Sequence, residues 1–318
     1  MLKNNLDLFN NPQRLSLPDF KRQESYVDRM FVFPPFDLNV DEWYADFRTR
    51  FFDALENRKL FPVFRSSHGE FSFVLGKREV PNGLKNKIRF FISSIYRTLL
   101  FQSTFYSGTP GYGFETYKQW KLPKLRKKFA KQLKWISENG ALCMYFSDRD
   151  AYPISYQKSY LKWLNKNNIF LDQKNYGHIY FIYALLNGTD RQRIFSNKRL
   201  LVVSSDQENR TGPLLKNLNK LGIKSIDFCK ISRSNSMEDK VQIKSNNYDL
   251  CLVGAGVGAA NVILQLKNLS CPVIDAGFVL DLIAWPDYSA KRIYCVNDTN
   301  WEQFFPDNKP EWGSKFKD

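Results

Sequence analysis

Cysteine and histidine are scarce in this sequence. Its 318 residues include two histidines and five cysteines, and no two cysteines form a C-x-x-C pair. An odd number of scattered cysteines excludes a disulfide framework and a zinc ribbon as the basis of the fold. We therefore expect a protein of a reducing compartment.

Long apolar runs are also missing. No stretch approaches the roughly 18 consecutive apolar residues of a membrane-spanning helix. Asn, Asp and Pro interrupt the apolar residues of the amino-terminal segment, which is atypical of a signal peptide. These features predict a cytoplasmic protein and leave peripheral contact with the inner face of the membrane open.

Acidic residues are outnumbered by basic ones. The chain has 32 Asp and Glu against 47 Lys and Arg, which gives a formal charge of +15. Hydrophobic residues make up 43% of the chain and aromatic residues 16%, so it can bury a sizeable core and is not a disordered polybasic tail. The charge favours an anionic partner such as a nucleic acid, an acidic lipid surface or a phosphorylated substrate.

Three regions are expected along the chain. Residues 1–40 are rich in Asn, Pro and charge and predict an amino-terminal arm. The sequence pattern of residues 41–300 predicts a single α/β domain. This domain is expected to have a helical insertion at about 83–190 and a Rossmann-like part at about 198–296. Residues 301–318 predict a carboxyl-terminal tail.

Amphipathic helices are predicted in the first half of the chain. Asp41 is a candidate N-cap for a helix over residues 42–59. Pro123 opens a second helix, over residues 124–139, whose outer face is densely cationic. That face is either solvated or contacts anionic lipid or a lipid-diphosphate acceptor. Its basic residues are Lys124, Arg126, Lys127, Lys128, Lys131 and Lys134.

An aromatic, glycine-rich loop at residues 107–120 predicts a segment that lines or covers a pocket. Glu115 and Tyr117 in this loop are candidate acceptor-binding residues, unless the loop is purely structural. His178 lies among Tyr and Phe residues. It is either a third acceptor-binding candidate or a buried histidine with a structural role.

The last third predicts a mostly parallel, Rossmann-like sheet flanked by helices. The short apolar runs RLLVVSS, SIDFCK, YDLCLVGAG and CPVIDAG are separated by helical patterns, which is typical of an α/β fold. Ser204, Asp206 and Arg210 follow the first run at its carboxyl end, where open α/β sheets bind ligands. They either line a nucleotide pocket or form a polar loop.

A glycine turn follows the third of these runs. Gly254, Gly256 and Ala259 match the G-x-G-x-x-A pattern of dinucleotide-binding proteins, and Asp275 lies near the spacing of the ribose-binding acid. The turn therefore indicates either a nucleotide site or a tight structural turn.

A polar cluster follows the first predicted strand, Leu60 to Phe64. It places a guanidinium, an imidazole and a carboxylate within six residues, at Arg65, His68 and Glu70. Arg65 is suited to hold a diphosphate, and His68 and Glu70 are suited to hold a metal or act as a base. The alternative is a turn whose Ser and Glu cap the next helix.

These motifs, in this order, resemble those of the bacterial GT-D-fold glycosyltransferases. The first loop of that family reads Arg-aromatic-Gly-Asp-Gly-Glu, and its Asp-x-Glu pair is associated with the sugar nucleotide and a divalent metal. In this chain FRSSHGEF supplies Arg65, Gly69 and Glu70. The family's late Asp-x-Gly with a further acid corresponds to Asp275 and Asp281.

The chain departs from the family pattern at three positions. His68 stands in place of the Asp, Ser67 in place of the preceding Gly, and Phe278 in place of a His. The resemblance implies a divalent metal, Mn²⁺ or Mg²⁺, at His68 and Glu70. Because an imidazole replaces a hard oxygen ligand, we expect metal dependence that is weak or shifted towards manganese.

The resemblance implies transfer of a sugar from a nucleotide- or phosphate-linked donor to a saccharide or lipid-linked acceptor during assembly of bacterial surface polysaccharide or glycoconjugates. The residues expected to be catalytic are Glu70, His68 and Asp281. Those expected to bind the donor are Arg65, Ser66, Gly69, Ser204, Asp206, Arg210, Gly254, Gly256 and Asp275.

Two other functions remain as alternatives. One is an NAD(P)- or nucleotide-dependent Rossmann enzyme centred on Gly254, Gly256 and Asp275. The other is a basic nucleic-acid-binding protein, although no helix-turn-helix, zinc-finger or RNP-type signature accompanies the charge, and we therefore expect no nucleic acid partner.

Overall fold

The structure is a computed structural model of the chain. It describes most of residues 4–285, with gaps. The described ranges are 4–14, 31–35, 38–76, 114, 117–146, 151–205, 208–232 and 234–285, together with residues 88, 91–92, 95–96 and 98–100.

Seven parallel strands form the main sheet of the described chain. The described residues form nine strands in all: β1 (Gln13–Arg14), β2 (Phe31–Val32), β3 (Phe61–Ser66), β4 (Ala141–Met144), β5 (Tyr176–His178), β6 (Arg199–Ser205), β7 (Ser225–Ile231), β8 (Leu250–Gly254) and β9 (Pro272–Asp275). The order in the main sheet is β5-β4-β3-β9-β8-β6-β7, and every neighbouring pair is parallel. Strands β1 and β2 form a separate antiparallel pair.

Helices cover both faces of the sheet. They are α1 (Val40–Glu56), α2 (His68–Leu75), α3 (Leu122–Asn139), α4 (Ala151–Lys166), α5 (Ile179–Asn187), α6 (Arg191–Phe195), α7 (Glu208–Asn219), α8 (Ala259–Gln265) and α9 (Val279–Ala284). One layer contains α2, α3, α4 and α8, and the other contains α1, α5, α7 and α9. Among the residues described, no helix is both long and apolar enough to cross a bilayer.

The predicted α/β class is confirmed. Strands β4, β8 and β9 are almost entirely buried, as expected for parallel strands with helices on both faces. Helix α1 buries its predicted apolar stripe against this sheet, and the side chains of Trp43, Phe47 and Phe51 are fully inaccessible to solvent. The stripe of α3 is buried in the same way, and only its cationic face is exposed.

Two sequence-based boundaries need correction. Helix α1 is capped by Asn39 and not by Asp41, because the Asn39 side chain accepts a hydrogen bond from the Glu42 backbone N–H at 2.8 Å. The region predicted as a helical insertion, residues 83–190, contributes β4 and β5 to the main sheet. These strands are four and three residues long and fully buried, so they show no alternation of polar and apolar residues.

Part of the predicted amino-terminal arm packs on the body. Asn5 is fully buried, and its side-chain amide donates to the Ile169 carbonyl at 2.8 Å. Its side-chain oxygen accepts from the Leu171 backbone N–H at 2.8 Å. This segment therefore completes the layer that contains α4.

The direction of strand addition changes between β3 and β9. After β3, the chain adds β4 and then β5 on one side of it. In the other half of the sheet, β7 is added on the outer side of β6, and β8 and β9 are added on the side of β6 that faces β3. Strand β9 therefore lies beside β3. Ligands of open α/β sheets bind at the carboxyl ends of the strands at such a point. Arg65 and Asp275 lie at this boundary.

Candidate functional site

Two segments that are about 200 residues apart in sequence meet at the carboxyl edge of the sheet. Strand β3 pairs with β9 in parallel, and the Asp275 carboxylate accepts a hydrogen bond from the Arg65 backbone N–H at 3.3 Å. Helix α2, which follows β3, packs against the glycine turn at residues 256–258. The first polar cluster and the late glycine turn therefore lie at the same edge of the sheet.

The Arg65 guanidinium lies directly against the backbone of Gly277. A Cβ atom at position 277 would lie 2.2 Å from an Arg65 terminal nitrogen, and Gly277 has a φ of +46°. Only glycine meets both conditions without strain. Arg65 also donates to the Tyr183 hydroxyl at 3.4 Å, and its Nε is buried without a hydrogen-bond partner among the described residues.

Two carboxyl groups flank this guanidinium. Asp275 is 1% exposed, and burial raises its pKa to about 7, with Arg65 opposing the rise and Glu70 adding to it. Glu70 is also buried, and burial raises its pKa above the ordinary value against the opposing effect of Arg65. Burial lowers the pKa of Arg65, but Tyr183, Asp275 and Glu70 outweigh it and the net pKa is raised. The guanidinium therefore stays charged, and the Glu70 carboxylate contributes to the raised pKa of Asp275.

The first polar cluster spans the end of a strand and the start of a helix. Strand β3 extends to Ser66 and α2 begins at His68, so only Ser67 connects them. Glu70, in the first turn of α2, accepts a hydrogen bond from the Ser67 backbone N–H at 2.8 Å. The helix-capping alternative for Glu70 is therefore realised, and the same side chain stands close enough to Arg65 to raise the pKa of its guanidinium.

The remaining residues of this cluster are held by neighbours. The Ser66 hydroxyl is fully buried and hydrogen-bonded to the Tyr160 hydroxyl at 2.7 Å. Gly69 is buried in the first turn of α2. The His68 ring is partly exposed and meets the Tyr145 ring edge-on, with 5.4 Å between centroids.

A second buried guanidinium lies at the end of β6. Arg210, on α7, is 7% exposed and donates to the Ser204 hydroxyl at 2.6 Å and the Ser205 carbonyl at 2.8 Å. It also donates to the Asp281 carboxylate at 3.1 Å. Its Nε is buried without a hydrogen-bond partner among the described residues. Asp206, predicted with this group, lies outside the described residues.

Both guanidiniums contact one short segment at the start of α9. Arg65 lies on Gly277, and Arg210 pairs with Asp281, four residues further on. Gly277 precedes α9, and Asp281 lies in the first turn of that helix. Guanidiniums are donors of the kind that bind phosphate groups.

Protein atoms occupy the space around the glycine turn. A Cβ atom at Gly254 would lie 2.6 Å from the Leu280 side chain and 2.9 Å from the Ser204 hydroxyl, and one at Gly258 would lie 2.1 Å from the Ser236 hydroxyl. Gly256 adopts a φ of +53°. The glycines at 254 and 258 thus allow close packing within the protein, and the side chain of Asp275 bonds Arg65. This arrangement favours the structural interpretation of the turn over a dinucleotide site.

The predicted acceptor-binding residues are placed differently from expectation. Tyr117 is 3% exposed and its hydroxyl donates to the Asn235 carbonyl at 2.8 Å, so it ties two segments of the chain together. His178 is fully buried and caps α5, where its Nδ1 accepts from the Tyr180 backbone N–H, and burial lowers its pKa to about 3. Burial and these hydrogen bonds favour the structural alternative for both residues. Glu115 lies outside the described residues.

The described residues do not provide a complete metal site. No group of three His, Cys, Asp or Glu side chains suited to hold a metal ion occurs among them. Of the predicted ligands, Glu70 is buried and bonds the Ser67 backbone. The metal implied by the family resemblance stays a prediction, and the mechanism below includes no metal-dependent step.

Sequence reasoning missed Tyr183. Its hydroxyl is the acceptor for Arg65, and it is 5% exposed on α5. No local signal distinguishes it, because the surrounding sequence, IYFIYALL, is uniformly apolar and aromatic. Only the crossing of α5 over the sheet edge brings it to the guanidinium.

No protein-family model and no curated protein matches the chain. It is similar to two solved structures, each with a TM-score of 0.43 and with 88% of that chain covered. One is a selenomethionine-substituted structure of domain of unknown function 1792, 14% identical over 78% of this chain. The other, of the same domain, is described as having a distinct glycosyltransferase fold and is 15% identical over 81% of this chain. At this identity and TM-score the likeness assigns no activity or site residue.

Proposed function

We propose that this protein is a glycosyltransferase that moves a sugar from a nucleotide- or phosphate-linked donor to a saccharide or lipid-linked acceptor. The step would belong to assembly of bacterial surface polysaccharide or glycoconjugates. The observation that carries the proposal is the pair of buried guanidiniums, Arg65 and Arg210, over residues 277–281 at the point where strand addition changes direction.

The two arginines are suited to stabilise the phosphate that leaves the sugar. When the bond between the sugar and the donor phosphate breaks, negative charge develops on the departing phosphate oxygen. Donors fixed in a water-poor site stabilise such charge more than solvent does, because they need not reorganise. Each guanidinium retains a buried Nε without a hydrogen-bond partner among the described residues, so each has donor capacity that the fold itself does not use.

The carboxyl groups of Asp275 and Glu70 are suited to accept the hydroxyl proton of the sugar acceptor. As the acceptor oxygen forms its bond to the sugar, its hydroxyl proton must move to a base. Asp275 has a pKa of about 7 and an Oδ1 that is buried without a hydrogen-bond partner among the described residues. A base is most effective when its pKa lies near the working pH. We assign the role of the base to the pair of Asp275 and Glu70. We assign to Asp281 the role of positioning Arg210.

The proposal predicts binding of a diphosphate donor at the two arginines. We would measure thermal shift and calorimetric binding for a panel of nucleoside diphosphate sugars and for inorganic pyrophosphate. A donor that binds should release its nucleoside diphosphate when a suitable acceptor is supplied.

The chain offers a matched control for this experiment. Arg199 makes a bidentate pair with Asp249 at 2.8 and 3.0 Å, and it lies at the amino end of β6, on the opposite edge of the sheet from Arg210. Donor affinity should fall by about tenfold to a hundredfold in Arg210→Gln and be kept in Arg199→Gln. Equal affinity of the wild type and Arg210→Gln for every donor would exclude the diphosphate site.

A further inference from the structure

A row of large apolar side chains faces outward on the helical segment between residues 88 and 99. Each of them is more than half exposed, from 52% to 72%. They are Ile88, Phe91, Ile92, Ile95, Tyr96 and Leu99. The described residues of this segment are helical.

The spacing places all six on one helical face. Steps of three and four residues return to the same side of an α-helix, so the row is the apolar face of an amphipathic helix. In a globular protein that face packs on the core, as it does in α3. Here it is turned away from the core.

This surface is a cluster and not scattered exposure. Every exposed large apolar side chain among the described residues lies either between positions 88 and 100 or at Trp120. Single exposed apolar residues are ordinary on protein surfaces, whereas contiguous patches mark sites of interaction.

A cationic surface adjoins the apolar face. The Lys118 ammonium donates to the Leu100 carbonyl at 2.5 Å, which joins the end of the apolar segment to the turn that leads into α3. Trp120, in that turn, is 63% exposed. The outer face of α3 then presents Lys124, Lys127 and Lys131, all exposed and spaced along one side of the helix.

We propose that the apolar face at residues 88–99 inserts into the surface of an anionic lipid bilayer while the α3 lysines contact the lipid headgroups. Apolar residues beside lysines are the features that bind a helix in the plane of an anionic membrane. The formal charge of +15 favours this partner over a second copy of the chain, since two copies would repel each other.

The test is co-sedimentation of the full chain with vesicles of phosphatidylcholine and phosphatidylglycerol, compared with vesicles of phosphatidylcholine alone. We expect binding to the anionic vesicles that weakens as salt is added. The double substitution Phe91→Ser, Leu99→Ser should lower the partition coefficient by about tenfold or more, because two large side chains no longer enter the lipid. Its thermal midpoint should match that of the wild type, since both residues are exposed.

The lysine contribution has a matched control on another part of the surface. The triple substitution Lys124→Gln, Lys127→Gln, Lys131→Gln should weaken binding by about tenfold or more. The triple substitution Lys216→Gln, Lys220→Gln, Lys224→Gln removes the same charge from exposed lysines in the last turn of α7 and in its connection to β7, and it should leave binding nearly unchanged.

Three results would overturn the proposal. They are failure of the wild type to bind anionic vesicles, equal binding by the Phe91, Leu99 variant, and equal loss in the two triple-lysine variants. Sedimentation velocity without lipid identifies the competing occupant: a wild-type dimer that the Phe91, Leu99 variant converts to a monomer would assign this face to a second copy. Because no sugar donor is used, these results are independent of the proposed activity.

Discussion

The two buried arginines of the candidate site occupy contrasting surroundings. Arg65 is enclosed by two acids, Asp275 and Glu70, whose pKa values are both raised by burial. Arg210 is held by a hydroxyl, a backbone carbonyl and one partly exposed acid, Asp281. The first environment exchanges protons near neutral pH, whereas the second holds a fixed positive charge.

This difference suggests a division of roles within the proposed site. A site that transfers a sugar must both accept a proton and neutralise a leaving phosphate. The β3–β9 side has groups for both tasks, and the β6–α7 side has groups for the second only. Substitutions on the two sides should therefore differ in their pH dependence as well as in their size.

Replacing Arg65 should have the largest effect. Arg65→Gln removes the cation that opposes the raised pKa values of Asp275 and Glu70, and a buried carboxylate without compensating charge costs about 3 kcal/mol or more. The penalty should be full at pH 8 and should shrink towards pH 4, because protonated carboxyls need no cation. The rate of the proposed sugar transfer should fall by about a thousandfold. Chemical denaturation at both pH values measures the first effect, and a stability loss independent of pH would contradict the coupling.

Replacing Asp275 should abolish the pH dependence that its titration gives to thermal stability and to the proposed sugar transfer. The folded pKa of Asp275, about 7, lies well above the ordinary value of an aspartate, so its contribution to stability is present at low pH and is lost as the pH rises to 7. Relative to Asp275→Asn, the wild type should lose thermal stability between about pH 4 and pH 7. Proposed transfer by the variant should fall by about a hundredfold and lose its rise near pH 7. Parallel melting curves of the two proteins across this range would exclude the raised pKa.

Replacing Arg210 should reduce activity without changing its pH dependence. Arg210→Gln removes hydrogen bonds from a charged donor and should cost about 1.5–3 kcal/mol of stability. Proposed transfer should fall by about tenfold to a hundredfold with the wild-type pH profile. A shifted pH optimum in this variant would show that the two sides of the site do not act separately.

Replacing Glu70 tests whether its charge matters beyond helix capping. Gln at position 70 has nearly the same size and keeps an oxygen that accepts from the Ser67 backbone N–H, so Glu70→Gln should retain the thermal midpoint of the wild type. The rate of the proposed sugar transfer should fall by about tenfold, because the neighbour that helps raise the pKa of Asp275 has lost its charge. The paired variant Glu70→Ala also loses the cap and should be less stable by about 1 kcal/mol. Full activity of Glu70→Gln would confine the residue to capping.

Removing divalent metal should have the smallest effect. His68 offers an imidazole nitrogen and not a hard oxygen, so EDTA should lower the rate of the proposed sugar transfer by about twofold or less, or manganese should restore it better than magnesium. Initial rates with EDTA, and after adding back magnesium or manganese, measure this. Complete loss in EDTA that magnesium fully restores would show that His68 has not changed the metal chemistry of the loop.

The sequence predicted the strands that carry long apolar runs and missed the shortest ones. Strands β6 and β8 coincide with continuous apolar segments, which are typical of parallel strands buried on both faces. Strand β5 has three residues and passes directly into α5 through His178, so neither its length nor its composition distinguishes it from the helix.

The same contrast applies to the candidate site. Arg65 and Asp275 could be predicted because they end strands of an open sheet, and strand ends converge at one edge. The Arg210 contacts with Ser204 and Asp281 depend on how α7 and α9 pack, which periodicity does not encode. For the same reason, the close packing around Gly254 and Gly258 could not be separated from a dinucleotide fingerprint.

The position of β9 has a consequence for synthesis. Strands β5, β4 and β3 form one part of the sheet and β8, β6 and β7 form the other, and the four residues of β9 join them. While the chain emerges from the ribosome, β3 and β8 have unpaired edges until residues 272–275 become available. The β3–β9 pairing closes a loop of about 200 residues, which is entropically slow. The Arg65–Asp275 contact is therefore one of the last to form, and newly made chains are exposed to edge-to-edge aggregation until it does.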